Sequence, residues 1–147
     1  MASNHDFLVI DLEATCDDRD PPLVLREEME TIEIGAVHVC GRTLAPLREF
    51  QTFIRPVRNP VLTPFCLTLT SITQEQVDAA PGFREAIDLL RAFMGSTPML
   101  FCSWGEYDKT QLERDAQFHG VELPFDGRHF NIKQAFQTGK RKFSVES

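Results

Sequence analysis

The chain has 147 residues, 42% of them hydrophobic and 25% charged, which fits one domain with one core and excludes a disordered tail. A net charge of −7 argues against non-specific nucleic-acid binding over a broad surface, but not against an enzyme that grips a strand end through metal ions. No apolar run has the length of a bilayer span and residues 1–6 lack a basic-then-apolar signal region, so a cytoplasmic protein with no membrane partner is expected.

Phe7-Leu8-Val9-Ile10 is an apolar run that reads as a central strand buried on both faces, ending at Asp11-Leu12-Glu13. Side chains alternate along a strand, so Asp11 and Glu13 share a face. Adjacent carboxylates repel each other. A divalent cation relieves that repulsion, and an all-oxygen donor set suits Mg²⁺ or Mn²⁺. The same tripeptide also reads as a plain strand end, with Asp11 opening a turn and Glu13 in solvent. Residues 14–22 form a polar loop closed by Pro21-Pro22. Met29 to Val39 is a second strand, Gly41-Arg42 a turn and Phe50 to Arg55 a third strand, which together suggest a meander.

Three prolines make 56–64 an extended loop, and Phe65 to Thr70 reads as a short helical turn. Thr73-Gln74-Glu75-Gln76 has the form of a capping box and starts a small helix. Phe83, Ile87, Leu90 and Met94 recur at helical spacing before Gly95, as a core-facing stripe. Met99 to Cys102 is a buried strand, Ser103-Trp104-Gly105-Glu106 another possible capping box, and a helix runs from about Tyr107 to His119, closed by Gly120. Phe130 to Ile132 reads as a strand and Lys133 to Gln137 as the beginning of a helix. Cys16, Cys40, Cys66 and Cys102 are scattered without a Cys-x-x-Cys pair, which argues against a zinc site or a disulfide scaffold.

This order predicts an α/β fold with a mixed sheet flanked by helices. Ligand sites in such sheets lie at the carboxyl ends of strands. Asp11 is at one such end. Asp108 lies just past another, in the first turn of a helix, where the dipole favours its ionised form; a helix-start carboxylate with no other role is the plainer reading.

Four segments resemble the DEDDh 3′–5′ exonucleases, closest to the enhanced-RNA-interference type exoribonucleases. They are Asp11 to Thr15, Glu33-Ile34-Gly35, Leu69 to Thr73 and Ser103 to Asp108. The resemblance runs from about Phe7 to Phe143. It implies an RNase H-like fold, two divalent cations (Mg²⁺ or Mn²⁺), a substrate with an RNA or single-stranded nucleic-acid 3′ end, and a nucleoside monophosphate product. By the same resemblance Asp11, Glu13 and Asp108 are three of the four catalytic, metal-binding carboxylates. In-line hydrolysis of a phosphodiester uses one ion to activate water and a second, ~3.5–4 Å away, to stabilise the departing 3′ oxygen, so several carboxylates must converge. The resemblance further implies that Ala14 and Thr15 meet the terminal nucleotide, and that Phe65, Leu69 and Tyr107 pack on its base or ribose; ordinary core packing is the alternative for these three.

One motif departs from the family. A His followed five residues later by the fourth Asp is expected late in the chain, the His acting as general base. Five residues after His5, His38, His119 and His129 stand Ile10, Thr43, Pro124 and Gln134. Ser144-Val145-Glu146-Ser147 reads as the start of another helix, with Ser144 as its cap. The expectation is therefore a single exonuclease-like domain over residues 1–147, lacking its last helical segment and with little or no nuclease activity by itself. Lys140-Arg141-Lys142 reads as a solvated loop, with contact to substrate phosphates as its functional alternative. A catalytically dead module that binds RNA ends or a protein is the competing reading, and a proofreading-type DNA exonuclease a third.

Overall fold

A computed structural model describes the backbone of residues 5–145 and the side chains of residues 5–138. β1 (Asp6–Ala14), β2 (Thr31–Val39) and β3 (Pro46–Phe53) form an antiparallel meander; β4 (Met99–Ser103) and β5 (His129–Asn131) extend the sheet in parallel from β1, in the order β3-β2-β1-β4-β5. The helices are α1 (Pro64–Thr70), α2 (Gln74–Asp78), α3 (Phe83–Met94), α4 (Tyr107–His119) and α5 (Ile132–Val145). This is the expected mixed α/β sheet.

The strand alternation decides where the core sits. Leu8, Ile10 and Leu12 of β1 and Ile34 and Ala36 of β2 face α3 and α4, packing against Ile87, Leu90 and Leu112. The expectation of a strand buried on both faces is corrected, because Phe7 and Val9, on the opposite face, are only partly buried. β1 also runs on through Asp11-Leu12-Glu13 to Ala14, because Leu12 and Ala14 continue the buried row and β2 pairs along the whole length. A second core lies under α1 and α2, where Ile32, Leu62, Cys66, Ile72 and Val77 meet.

Two helix boundaries follow local chemistry. Thr73 caps α2 in a complete capping box with Gln76, and Gly120 closes α4 at φ 63°. The second expected capping box is absent. Ser103 ends β4, and its hydroxyl donates to the carbonyl of Gly105 while accepting from His129 Nε2 at 2.7 Å. Glu106 precedes α4 in helical geometry with no side-chain cap. Gly105, at φ 92°, makes the sharp turn from β4 into α4 that an L side chain resists.

Other boundaries moved. The third strand starts at Pro46 rather than Phe50, its exposed Arg48, Glu49 and Gln51 hiding an edge strand from a hydrophobicity reading. The fifth strand starts at His129, one residue early. Residues 140–142 and 144 continue α5 rather than forming a loop and a new helix start; the side chains of Lys140-Arg141-Lys142, and residues Glu146 and Ser147, lie outside the described residues.

Buried acids lock the loops around this frame. Glu30 is buried, and its carboxylate accepts from the amides of Val57, Arg58 and Asn59 at 2.8, 2.9 and 3.2 Å. Glu30→Ala therefore leaves three amides without an acceptor, at an expected cost of about 3 kcal/mol. Urea unfolding measures that cost, and hydrogen exchange should quicken first at residues 57–59.

Candidate active site

β4 ends level with the middle of β1, since Val9 pairs with Cys102. The chain turns at Gly105, and the first turn of α4 comes back over the end of β1. There the Leu12 amide donates to Asp108 Oδ1 at 3.2 Å, a contact between residues 96 apart in sequence. Asp108, 6% exposed, thus stands beside the strand segment that carries Asp11 and Glu13. Asp11 is exposed and Glu13 half-buried, both on the face opposite Leu12.

The three carboxylates feel each other. Burial pushes the Asp108 carboxyl up to about 6; Asp11 adds to the rise and the Leu12 amide opposes it. Burial also raises Glu13, reinforced by the charges of Asp11, Glu33 and Asp108. Glu33 enters because it pairs directly with Glu13 across β1 and β2. Among the described residues no three His, Cys, Asp or Glu side chains yet converge tightly enough to hold an ion. The donor set nonetheless fits a hard divalent cation: it is all oxygen, crowded with negative charge and, among the described residues, without a neutralising Lys or Arg ion pair.

The other expected site residues divide into two groups. Ala14 and Thr15 are buried, and Thr15 is engaged with Glu30 through both its amide and its hydroxyl, at 2.8 and 2.9 Å. Phe65, Leu69 and Tyr107 are not core residues: Phe65 is half-buried, Leu69 is 62% exposed and Tyr107 46% exposed. Phe65 and Leu69 share a face of α1, which is pinned to the end of β1 by Thr63 Oγ1 donating to the Cys16 carbonyl and by Cys66 Sγ approaching the Ala14 carbonyl at 3.7 Å. The Tyr107 hydroxyl is pushed up to about 12, first by burial and then by the charges of Asp108, Cys16, Asp115 and Glu13, although the residue as a whole stays partly open.

Sequence reasoning missed the polar belt that holds α4 in place. Gln111 donates to the Met29 carbonyl at 2.7 Å; Asp115 accepts from the Thr31 amide and hydroxyl at 3.1 and 2.5 Å, and from Gln111 at 3.2 Å. The signal was present: Asp108, Gln111 and Asp115 share the buried face of α4 with Leu112. Asp115→Ala should cost about 3 kcal/mol by stranding Thr31 and Gln111. Thermal unfolding would show it, and Asp115→Asn should recover part of the loss.

The mixed sheet, with acids gathered where β1 and α4 meet, defines a nuclease-fold protein of the RNase H-like type. The chain belongs to the exonuclease family, whose RNase T profile matches residues 8–116. It is similar to ERI1 exoribonuclease 3 of Homo sapiens, 32% identical over 141 residues, covering 90% of this chain and 40% of that protein. It is also similar to 3′-5′ exoribonuclease 1 of Mus musculus, 38% identical over 143 residues, covering 91% and 41%. Among solved structures, the nuclease domain of 3′hExo, a DEDDh family member bound to rAMP, superposes with a TM-score of 0.84 at 28% identity, covering 96% of this chain and 74% of that one. The chain thus spans about 40% of the length of the two exoribonucleases. The resemblance to DEDDh exonucleases is borne out. Among the described residues no helix is long and apolar enough to cross a membrane.

Proposed function

We propose that this chain is a metal-dependent 3′–5′ exonuclease domain that hydrolyses phosphodiester bonds at RNA 3′ ends and releases nucleoside 5′-monophosphates, with single-stranded DNA as a second substrate. The carrying observation is the Leu12–Asp108 hydrogen bond, which sets a third carboxylate against the Asp11–Glu13 strand segment. That relatives 32% and 38% identical to this chain are named exoribonucleases supports RNA. Asp11, Glu13 and Asp108 would hold two ions, Mg²⁺ or Mn²⁺. When bound, such ions supply an activated water and charge stabilisation for the departing oxygen.

The remaining roles fall to the chain. Phe65 and Leu69 present an apolar face of α1 for the terminal nucleoside, and the open ring of Tyr107 flanks it from α4. Such surfaces accept any base. Ala14 and Thr15, being buried, would meet the nucleotide through backbone. None of the four histidines has an Asp five residues on, so no side chain of these 147 residues fills the general-base role at the family spacing. Turnover by the 147-residue polypeptide is accordingly expected to be slow. The reading of a catalytically dead module that binds RNA ends rests on that same spacing.

Calorimetry with AMP and Mn²⁺ tests the reading. Metal-dependent AMP binding is expected, and Asp11→Ala should weaken it at least tenfold, since a metal ligand contributes on the order of a kcal/mol or more. AMP binding that ignores both Mn²⁺ and Asp11→Ala would favour the dead module. Loss of a 3′-label from RNA and from DNA oligomers of one sequence measures residual turnover and sugar preference.

A further inference from the structure

Tyr107, Thr110, Arg114 and Phe118 are exposed on α4 at spacings of three or four, so they form one line along the helix. The segment at Arg26–Met29 and Arg58 stand opposite. Between the two walls lie clefts of about 300 and 250 Å³, and a third of about 320 Å³ adjoins them between the loop at residues 16–24 and Arg26–Met29. Met29 lines all three, Arg26 those of about 320 and 300 Å³ and Arg114 those of about 300 and 250 Å³, which makes them one furrow. It begins beside Cys16, passes Tyr107 and ends at Phe118, about 16 Å further along α4.

Its chemistry suits a nucleic-acid strand. The Arg58 guanidinium lies 3.5 Å over the Phe118 ring and is held there by a bond to the Glu27 carbonyl at 3.3 Å. An arginine plane stacked on an exposed aromatic offers its outer face as a stacking platform for a base. Arg26 and Arg114 make no side-chain hydrogen bond or ion pair among the described residues, whereas Arg84 and Arg91 are tied to backbone carbonyls and Arg19 and Arg128 to carboxylates. Two guanidiniums are therefore free for phosphates in a chain of net charge −7. Asp17, Asp18, Glu27, Glu106 and Asp115 line the furrow too, so it suits the backbone of one strand, gripped at its arginines, rather than a broad polyanion.

We propose that this furrow is a single-stranded nucleic-acid track, which holds the nucleotides upstream of the 3′ end along α4. Their phosphates meet Arg26 and Arg114, and a base stacks on the Phe118–Arg58 platform. The proposal rests on the reading of the carboxylates as a 3′-end site and adds recognition of substrate length to it.

The test compares AMP with phosphorothioate-protected oligoadenylates of three and eight nucleotides, bound to the 147-residue chain in Mn²⁺. The octamer should bind at least tenfold more tightly than the trimer. Replacing both Arg26 and Arg114 by Ala should lower octamer affinity about tenfold and flatten its salt slope by about 1.4, while AMP binding stays unchanged. Phe118→Ala should weaken the octamer by a similar factor. An octamer bound no better than AMP, or a double-arginine variant with the parent's affinity and salt slope, overturns the track. Octamer binding that depends on the arginines, without metal-dependent AMP binding, would keep the track and sink the 3′-end site.

Discussion

Asp108→Asn should make the metal-free protein more stable at pH 7, by about 3 kcal/mol, while abolishing its stabilisation by Mn²⁺. The Asp108 carboxyl titrates at about 6 in the fold against an ordinary 3.8. A raised carboxylate binds its proton more tightly folded than unfolded. Its contribution to stability is therefore most favourable below pH 4, falls between about pH 4 and 6, and is flat above. Asn cannot ionise, so it removes that fall, and its side-chain oxygen can still accept from the Leu12 amide. A divalent ion acts in the opposite sense, favouring the ionised group, so Mn²⁺ should raise the melting temperature of the parent far more at pH 7 than at pH 4.5. Any turnover of the parent should fall roughly a thousandfold in the variant, because several kcal/mol of metal-dependent stabilisation goes with the lost ligand. Thermal melts across pH, with and without Mn²⁺, decide the matter. A variant that is no more stable than the parent at pH 7, or that keeps the Mn²⁺ response, would show that Asp108 is a structural acid.

Leu112→Ala is expected to cost about 3 kcal/mol, within the 2–5 kcal/mol range of buried leucine truncations. Leu112 is fully buried where α4 meets the sheet, in the cluster containing Leu8, Ile10, Leu12 and Ile87. The surroundings are strands tied on both sides, so the cavity has little room to collapse. For a chain of this size the loss corresponds to a fall in Tm of roughly 6–12 °C. Leu112 also lies one turn from Asp108, so loosening α4 should weaken Mn²⁺ stabilisation as well as the fold. Leu112→Met, which conserves volume, should cost less than about 1.5 kcal/mol and leave the metal response intact. Equal melting temperatures for the Ala variant and the parent would mean that α4 is held by its polar belt rather than by its apolar row.

That belt marks the limit of what hydrophobic patterning conveys. Asp115, Gln111 and Glu30 look like surface residues in the sequence because polar groups are usually solvated. Asp115 and Glu30 are buried because backbone amides far along the chain, at Thr31 and residues 57–59, need acceptors that water cannot supply there, and Gln111 is buried as the donor that joins the Met29 carbonyl to Asp115. The exposed edge strand β3 was half hidden for the converse reason: one of its faces has nothing to pack against, so its residues carry no alternation strong enough to read.

Elements whose chemistry is local are legible along the chain. The presence of β1, the stripe of α3, the capping box at Thr73 and the closing Gly120 follow from side-chain character and backbone preference within a few residues, whereas which face of β1 is covered does not. The acidic residues too stand there in a recognisable order. Only the packed chain brings Asp108 to the Leu12 amide and lines one furrow with Arg26, Arg58 and Arg114. Each of those pairings joins segments tens of residues apart. They depend on the parallel register of β1 with β4 and on how far the chain turns at Gly105, quantities that no local preference encodes.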